Sequence, residues 1–419
     1  MNIRRLRVGA AFAAAALTGT IAACGEDTVD IFTPAAPASP IFTSYVALGN
    51  SITAGYQSGG INDSTQKESY ARLVANQMRT RYAYPALAGA GCPPPTKGIA
   101  RVRATDSTGT FCALRNPLSA NAALNNVGVP GAATLDLTST NTARSNFLTS
   151  LFLGGKTQVA KALDARPTFV SVWMGNNDVL DPGVKGVAIP DTGAAFAPVR
   201  AALSTPGITN FTAFRNAYAT AANGLRARVT QGVLIGVVNV TWAPILFPVE
   251  TLLVNPVRRA EFQGAVTQAA GGAARPVTID PACTGSRALV SFAIVSVLAA
   301  QATDAQRVIS CSTANGGAPF VLDTLEQAVF TSTITAYNSY IKAKADSIGY
   351  AYLNADSVLS TLRTNNSVYG APHLQEARPF GPAVSNDGIH PALPGHQAVA
   401  RALITTINAK YGTSIPQLP

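Results

Sequence analysis

Short apolar runs that stop at a glycine alternate with amphipathic stretches along most of this chain. Tyr45-Val46-Ala47-Leu48 stops at Gly49, the run over 167–174 stops at Gly175, and 232–240 and 350–354 carry two more. Runs of this kind fit strands buried on both faces. A fifth, weaker run covers 123–129 and ends at Pro130-Gly131. Between them, Tyr70, Leu73, Val74, Gln77 and Met78 recur at helical spacing within 69–82. Helices are also predicted over 147–165, 211–230, 322–348 and 391–411. Strands alternating with helices predict an α/β protein: five parallel strands with helices on both faces. Two segments break the rhythm, about 181–210 and about 244–321, and read as insertions after the third and fourth strands. Inside the second, the stretch over 288–300 is strongly apolar but too short to span a bilayer. It reads as a buried helix, with a lid or acyl-contacting helix as the sharper alternative.

The amino terminus adds an address. Residues 1–7 are short and basic, 8–21 are apolar and Ala-rich, and Ile21-Ala22-Ala23-Cys24 follows. That order describes a secretory signal. A Cys directly after small residues resembles a bacterial lipobox, which implies cleavage after residue 23 and lipidation of Cys24. Gly25 resembles the residue found in lipoproteins sent on to the outer membrane. The expectation is a signal peptide over 1–23, a Pro/Ala-rich tether over 24–43, and a folded domain over 44–412, anchored through lipid in the bacterial cell envelope.

Composition agrees with export. Apolar content is 47% and charged content 12%, which excludes a disordered chain. The formal net charge is +10, but Lys and Arg are scattered and no basic run is interleaved with aromatics, so nucleic acid is not an expected partner. Of the five Cys, removing Cys24 leaves four, which read as two disulfides with three possible pairings. Local pairing is the simplest: Cys92 with Cys112, and Cys283 with Cys311. No Cys-x-x-Cys spacing occurs and no His lies nearby, so a metal site is not expected.

Candidate chemistry collects at the strand ends: Gly49-Asn50-Ser51, Gly128-Val129-Pro130-Gly131, Gly175-Asn176-Asn177-Asp178, and, before the last helix, Asp387-Gly388-Ile389-His390. Open α/β sheets carry their sites at this edge. Ser51 is a candidate nucleophile, which needs a base to take its proton. Of three His, His390 has a carboxylate three residues before it in a Gly/Pro-rich loop. Asp387 can accept from one ring nitrogen while the other faces Ser51. His373 and His396 read as surface or packing residues. The Ser51 N–H, the Gly131 N–H and the Asn177 amide are candidate oxyanion donors.

These four motifs, in this order, resemble the SGNH hydrolases, also called the GDSL esterase/lipase family, over roughly 44–410. The family's Ser, Gly, Asn and His fall on Ser51, Gly131, Asn177 and His390. Its Asp-x-x-His is met by Asp387 and His390, and its Gly-x-Asn-Asp by Gly175, Asn177 and Asp178. The resemblance implies a three-layer, flavodoxin-like α/β/α sandwich with a five-stranded parallel sheet. It also implies a Ser-His-Asp esterase or lipase with no metal or organic cofactor, acting on acyl esters, acylated glycans or lipids. The family usually has Gly-Asp-Ser where this chain has Gly-Asn-Ser. Asn50 keeps the shape and loses the charge, and with Asp387 available to His390 the activity is expected to survive. A reading from another class is a non-catalytic envelope protein that binds glycan or lipid on the same fold; the intact Ser51, His390 and Asp387 count against it.

Overall fold

The computed structural model describes residues 36–97, 102–103, 123–189, 207–312 and 319–419. Its centre is a parallel sheet of β1 (Tyr45–Gly49), β2 (Phe169–Trp173), β3 (Gln231–Ile235) and β4 (Ala351–Leu353), side by side in that order. Tyr45 pairs with Phe169, Phe169 with Gln231, and Val233 with Ala351. Every residue of β1 and β2 is buried, as their unbroken apolar runs require. Side chains alternate between faces. Tyr45, Ala47, Phe169, Trp173, Val233 and Ile235 share one core with the helices Tyr70–Gln77 (α1) and Leu393–Tyr411 (α5). Val46, Leu48, Val170, Val172 and Leu234 share the other with the helices Gln158–Asp164 (α2), Phe211–Arg226 (α3) and Thr324–Ile348 (α4). The result is the expected α/β/α sandwich.

The fifth strand is reduced to one bridge, Ala47 with Asn126. The backbone still runs along β1, since Val127 N–H donates to Ala47 O and Val129 N–H to Gly49 O. This gives the strand order 2-1-3-4-5 of doubly wound, flavodoxin-like sheets. Two asparagines shorten the strand. Asn125 ties Ala83 and Tyr45 through its side chain, and Asn126 Nδ2 donates to Thr53 O. The outer backbone donors of both residues turn to Ala83 O.

Other boundaries differ from the sequence reading for local reasons. The helix expected over 147–165 is two helices, Phe147–Leu153 and α2, separated by Gly154-Gly155, with Thr157 capping the second. The strand expected over 232–240 stops at Ile235. Beyond it, Asn338 binds both N–H and C=O of Val237, and Asn176 Oδ1 accepts from Val238 N–H. The supposed tether is already packed at its end, with Phe42 fully buried against Phe169 at 5.3 Å.

The insertion at about 244–321 holds an antiparallel sheet in which Leu289–Ser291 lies between Leu246–Pro248 and Val321–Leu322. The apolar stretch 288–300 is therefore a strand followed by the helix Ile294–Ala300, largely buried, rather than one helix. Of the insertion at about 181–210, residues 190–206 lie outside the described residues. So do Cys24 and Cys112. Cys92 is disulfide-bonded, and Cys283 is bonded to Cys311 with a Cα–Cα distance of 5.1 Å. That second bond closes a loop over a sequence separation of 28. Loop-closure entropy then predicts that Cys283→Ser with Cys311→Ser loses on the order of 3 kcal/mol of stability. The shift is read from the urea midpoint, and an unchanged midpoint contradicts the staple.

Candidate active site

The parallel register delivers the ends of β1, β2 and β3 to one edge. At the end of β1 the chain turns sharply, and the turn requires glycine. A Cβ on Gly49 would lie 2.1 Å from Thr53 Oγ1 and 2.8 Å from Trp173 O. Asn50 then caps a four-residue helix, Ser51–Ala54, by accepting from Ile52 N–H. Ser51 stands at the helix's first position, where a backbone N–H has no partner within the helix.

His390 meets it from the other end of the chain. Ser51 Oγ–H donates to His390 Nε2 at 2.8 Å across 339 residues of sequence. The opposite ring nitrogen fixes the direction: His390 Nδ1–H donates to Asp387 Oδ2 at 2.8 Å. An ionised carboxylate can only accept, so Nδ1 carries the proton and Nε2 is left as the base. Asp387 is ionised for stated reasons. Burial alone would raise its pKa, but His390 and the donors around it outweigh burial and hold the carboxyl well below the usual carboxylate range. Those donors are His390 N–H and Ile389 N–H, each at 2.9 Å; Gly59 N–H and Ser385 Oγ–H also donate to the carboxylate, at 2.9 and 3.0 Å.

Several of these partners escape sequence reasoning. Gly59 and Ser58 lie in the turn after the Ser51 helix. Ser58 N–H donates to Ser385 Oγ, and Asn386 N–H donates to Ser58 Oγ. This turn therefore clamps the Asp387 loop. Tyr56 lays its ring 4.9 Å from the imidazole of His390, tilted by 54°. The only sequence signal is the Gly59-Gly60 turn itself, which does not say what it will meet.

On the opposite side, Gly131 adopts φ 85°, a left-handed conformation that glycine alone takes at little cost. Neither its N–H nor that of Ser51 donates to any other described residue. Asn177 is buried in the turn Asn176–Asp178 after β2, and its Nδ2 donates one proton to Ala132 O at 2.8 Å, leaving the second. Asp178 fastens the same loop, accepting from both N–H and Oγ1 of Thr134 at 2.9 Å. The Gly131 and Asn177 segments are thus one hydrogen-bonded unit. Asn50 accepts with its oxygen from Ile52 N–H, but its buried Nδ2 has no partner among the described residues.

The other two His behave as packing and surface groups. His396 is fully buried and accepts from Tyr70 N–H at Nδ1. Burial, with a smaller push from His390, lowers its pKa to about 3 and keeps it neutral. His373 binds Glu376 and stacks on Tyr369 away from the site.

The Asp387 arrangement predicts a pH signature. A carboxyl lowered in the folded state stabilises fully above its ordinary value near 4, and that stability fades as pH falls toward the lowered folded value. Asp387→Asn is therefore expected to be less stable than wild type near pH 6, with the gap beginning to narrow once pH falls below about 4. Urea midpoints across this range check it; a gap that widens on acidification contradicts the assignment.

No curated protein matches the chain at a significant level. Among solved structures it is similar to an alpha/beta hydrolase from the metagenome of Lake Arreo, Spain. That match has 12% identity and a TM-score of 0.37, covering 90% of this chain and 99% of the other. An acetylxylan esterase from Geobacillus stearothermophilus matches with 12% identity and a TM-score of 0.37, covering 87% and 94%. TesA matches with 12% identity and a TM-score of 0.34, covering 88% and 99%. The family model of the GDSL-like lipase/acylhydrolases matches residues 45–244, a span holding Ser51, Gly131 and Asn177 and ending before Asp387 and His390. Residues 45–244 thus match the model of a family of lipases and acylhydrolases, enzymes that hydrolyse ester bonds.

Proposed function

We propose that the protein hydrolyses carboxylic esters through an acyl-enzyme on Ser51. The observation that carries this reading is the unbroken relay from Asp387 to His390 to Ser51, with both bonds at 2.8 Å. Ser51 Oγ attacks the ester carbonyl as its proton passes to His390 Nε2. The Oγ–C bond forms, and the negative charge on the carbonyl oxygen is met by the N–H groups of Ser51 and Gly131 and by the Asn177 amide. The C–O bond to the alcohol then breaks, and the leaving oxygen takes the proton from His390. Water next gives a proton to His390 and its oxygen to the acyl carbon. The Oγ–C bond breaks, and the proton returns to Ser51. Asp387 keeps the Nδ1 proton in place and stabilises the imidazolium in both halves.

Asn177 carries two tasks in this scheme. It ties its loop to Ala132 with one proton and offers the other to the oxyanion. Asp178 and Thr134 hold the two loops together independently, so the site is expected to survive loss of the Asn177 amide.

Ser51→Ala is expected to lower kcat for p-nitrophenyl butyrate by several orders of magnitude. Turnover like that of wild type defeats the mechanism. Asn177→Ala is expected to lower kcat roughly a hundredfold, with KM moving much less. A loss below about threefold removes Asn177 from the oxyanion role.

A further inference from the structure

Resting on that hydrolase reading, we propose that Asn146 is a positioning residue of the oxyanion site, holding in place the peptide that carries the Gly131 N–H. Ala132 N–H donates to Val129 O at 3.1 Å and closes a four-residue turn with Pro130 and Gly131 at its centre. Proline at the second position fixes a negative φ, which excludes the mirror-image turns. Gly131 at φ 85° excludes the common type I turn. The turn is therefore type II. Types I and II differ by one motion, a turning over of the peptide between the two central residues.

That peptide is the one the site uses. Its C=O belongs to Pro130 and its N–H to Gly131, and in a planar trans unit the two point in opposite directions. Turned over, it would take the N–H away from the developing oxyanion and present a carbonyl oxygen in its place. Gly131 does not resist this, because glycine takes negative φ as readily as positive. The restraint comes from outside the turn. Asn146 Nδ2 donates to Pro130 O at 2.8 Å, at the end of the peptide opposite the Gly131 N–H.

Asn146 can hold the carbonyl because it is itself held. It is the N-cap of the helix Phe147–Leu153, which buries Leu148, Phe152 and Leu153 in the core. Its Oδ1 accepts from Leu148 N–H at 2.9 Å, and its own N–H donates to Thr149 Oγ1 at 3.1 Å. Nδ2 makes a second, longer bond to Arg144 O at 3.4 Å. The amide lies against the turn: a Cβ on Gly131 would come 3.2 Å from Asn146 Nδ2. A donor on the carbonyl also polarises the peptide, which makes the N–H at its other end a stronger donor. Asn146 thus acts through Gly131 and touches no reacting atom.

The test compares wild type with Asn146→Ser, Asn146→Asp and Thr149→Ala on p-nitrophenyl butyrate. Serine and aspartate both keep an acceptor for the helix start. The serine hydroxyl lies one bond nearer the backbone and falls short of Pro130 O, and an ionised aspartate cannot donate. Thr149→Ala weakens the same helix start and leaves the Asn146 amide in place. Acylation and deacylation both pass through the oxyanion, so kcat reports the donor whichever step is slower. Asn146→Ser is expected to lower kcat about fivefold, the weight of one hydrogen bond, with KM and the urea midpoint close to those of wild type. Asn146→Asp is expected to lose at least as much, and Thr149→Ala to keep kcat within about twofold of wild type. If Asn146→Ser does not melt cooperatively, Asn146→Asp decides. Wild-type kcat in the Asn146 variants, a fall confined to the charged Asn146→Asp, a loss carried by KM alone, or an equal fall in Thr149→Ala overturns the positioning role and leaves the hydrolase standing. Absence of turnover by wild type overturns the hydrolase reading and this one with it.

Discussion

A parallel sheet sends the carboxyl ends of all its strands to one edge, and the placement of Ser51, Gly131 and Asn177 depends on that constraint. Ser51, Gly131 and Asn177 follow three adjacent runs of the sheet, so their spacing is set by strand pairing rather than by loop conformation. The register Gly49 with Trp173 puts the Ser51 turn beside the Asn177 turn. The bridge of Ala47 with Asn126 puts the Gly131 loop on the other flank. His390 and Asp387 arrive by a different route, in the loop before the helix Leu393–Tyr411, which packs on the same face as Tyr45 and Trp173. The Ser51–His390 bond of the relay thus joins two separately anchored elements.

Each anchored element is also cross-tied locally. The turn after Ser51 donates through Gly59 to Asp387, so the segment that carries Ser51 also fixes the carboxylate. Asp178 and Asn177 hold the Gly131 loop. Such ties keep the groups in place before substrate arrives, and prior placement is what makes electrostatic stabilisation effective. Buried polar atoms are accordingly concentrated here. Asn50, Ser51, Asn126, Asn177, Asp178 and His390 are all buried.

Much of this was legible in the sequence, for reasons that differ by element. The four main strands showed because double burial demands unbroken apolar runs. The long helix Thr324–Ile348 showed in the sequence over 322–348, and the structure starts it two residues later, where Asp323 and Glu326 form a capping box. The run over 123–129 read as a full strand because Asn125 and Asn126 take over pairing duties that an apolar pattern cannot express. The antiparallel sheet of the insertion was invisible, since it joins residues near 246, 290 and 321 and no local pattern encodes such contacts. The same split holds within the site. Ser51, Gly131, Asn177, Asp387 and His390 are recognisable by type and order. Ser58, Gly59, Ser385 and Tyr56 act through contacts spanning more than three hundred residues. No side-chain signature marks a backbone N–H aimed at a distant carboxylate.

The central claim is that Ser51 becomes covalently acylated, and the most direct measurement is mapping of a fluorophosphonate adduct by peptide mass spectrometry. The probe mimics the tetrahedral intermediate and requires both an activated hydroxyl and donors for its oxygen. One adduct per chain is expected, on the peptide that holds Ser51, formed in step with loss of ester hydrolysis and absent in His390→Ala. Loss of hydrolysis with the adduct on another residue, or full hydrolysis by a chain already labelled at Ser51, would contradict it.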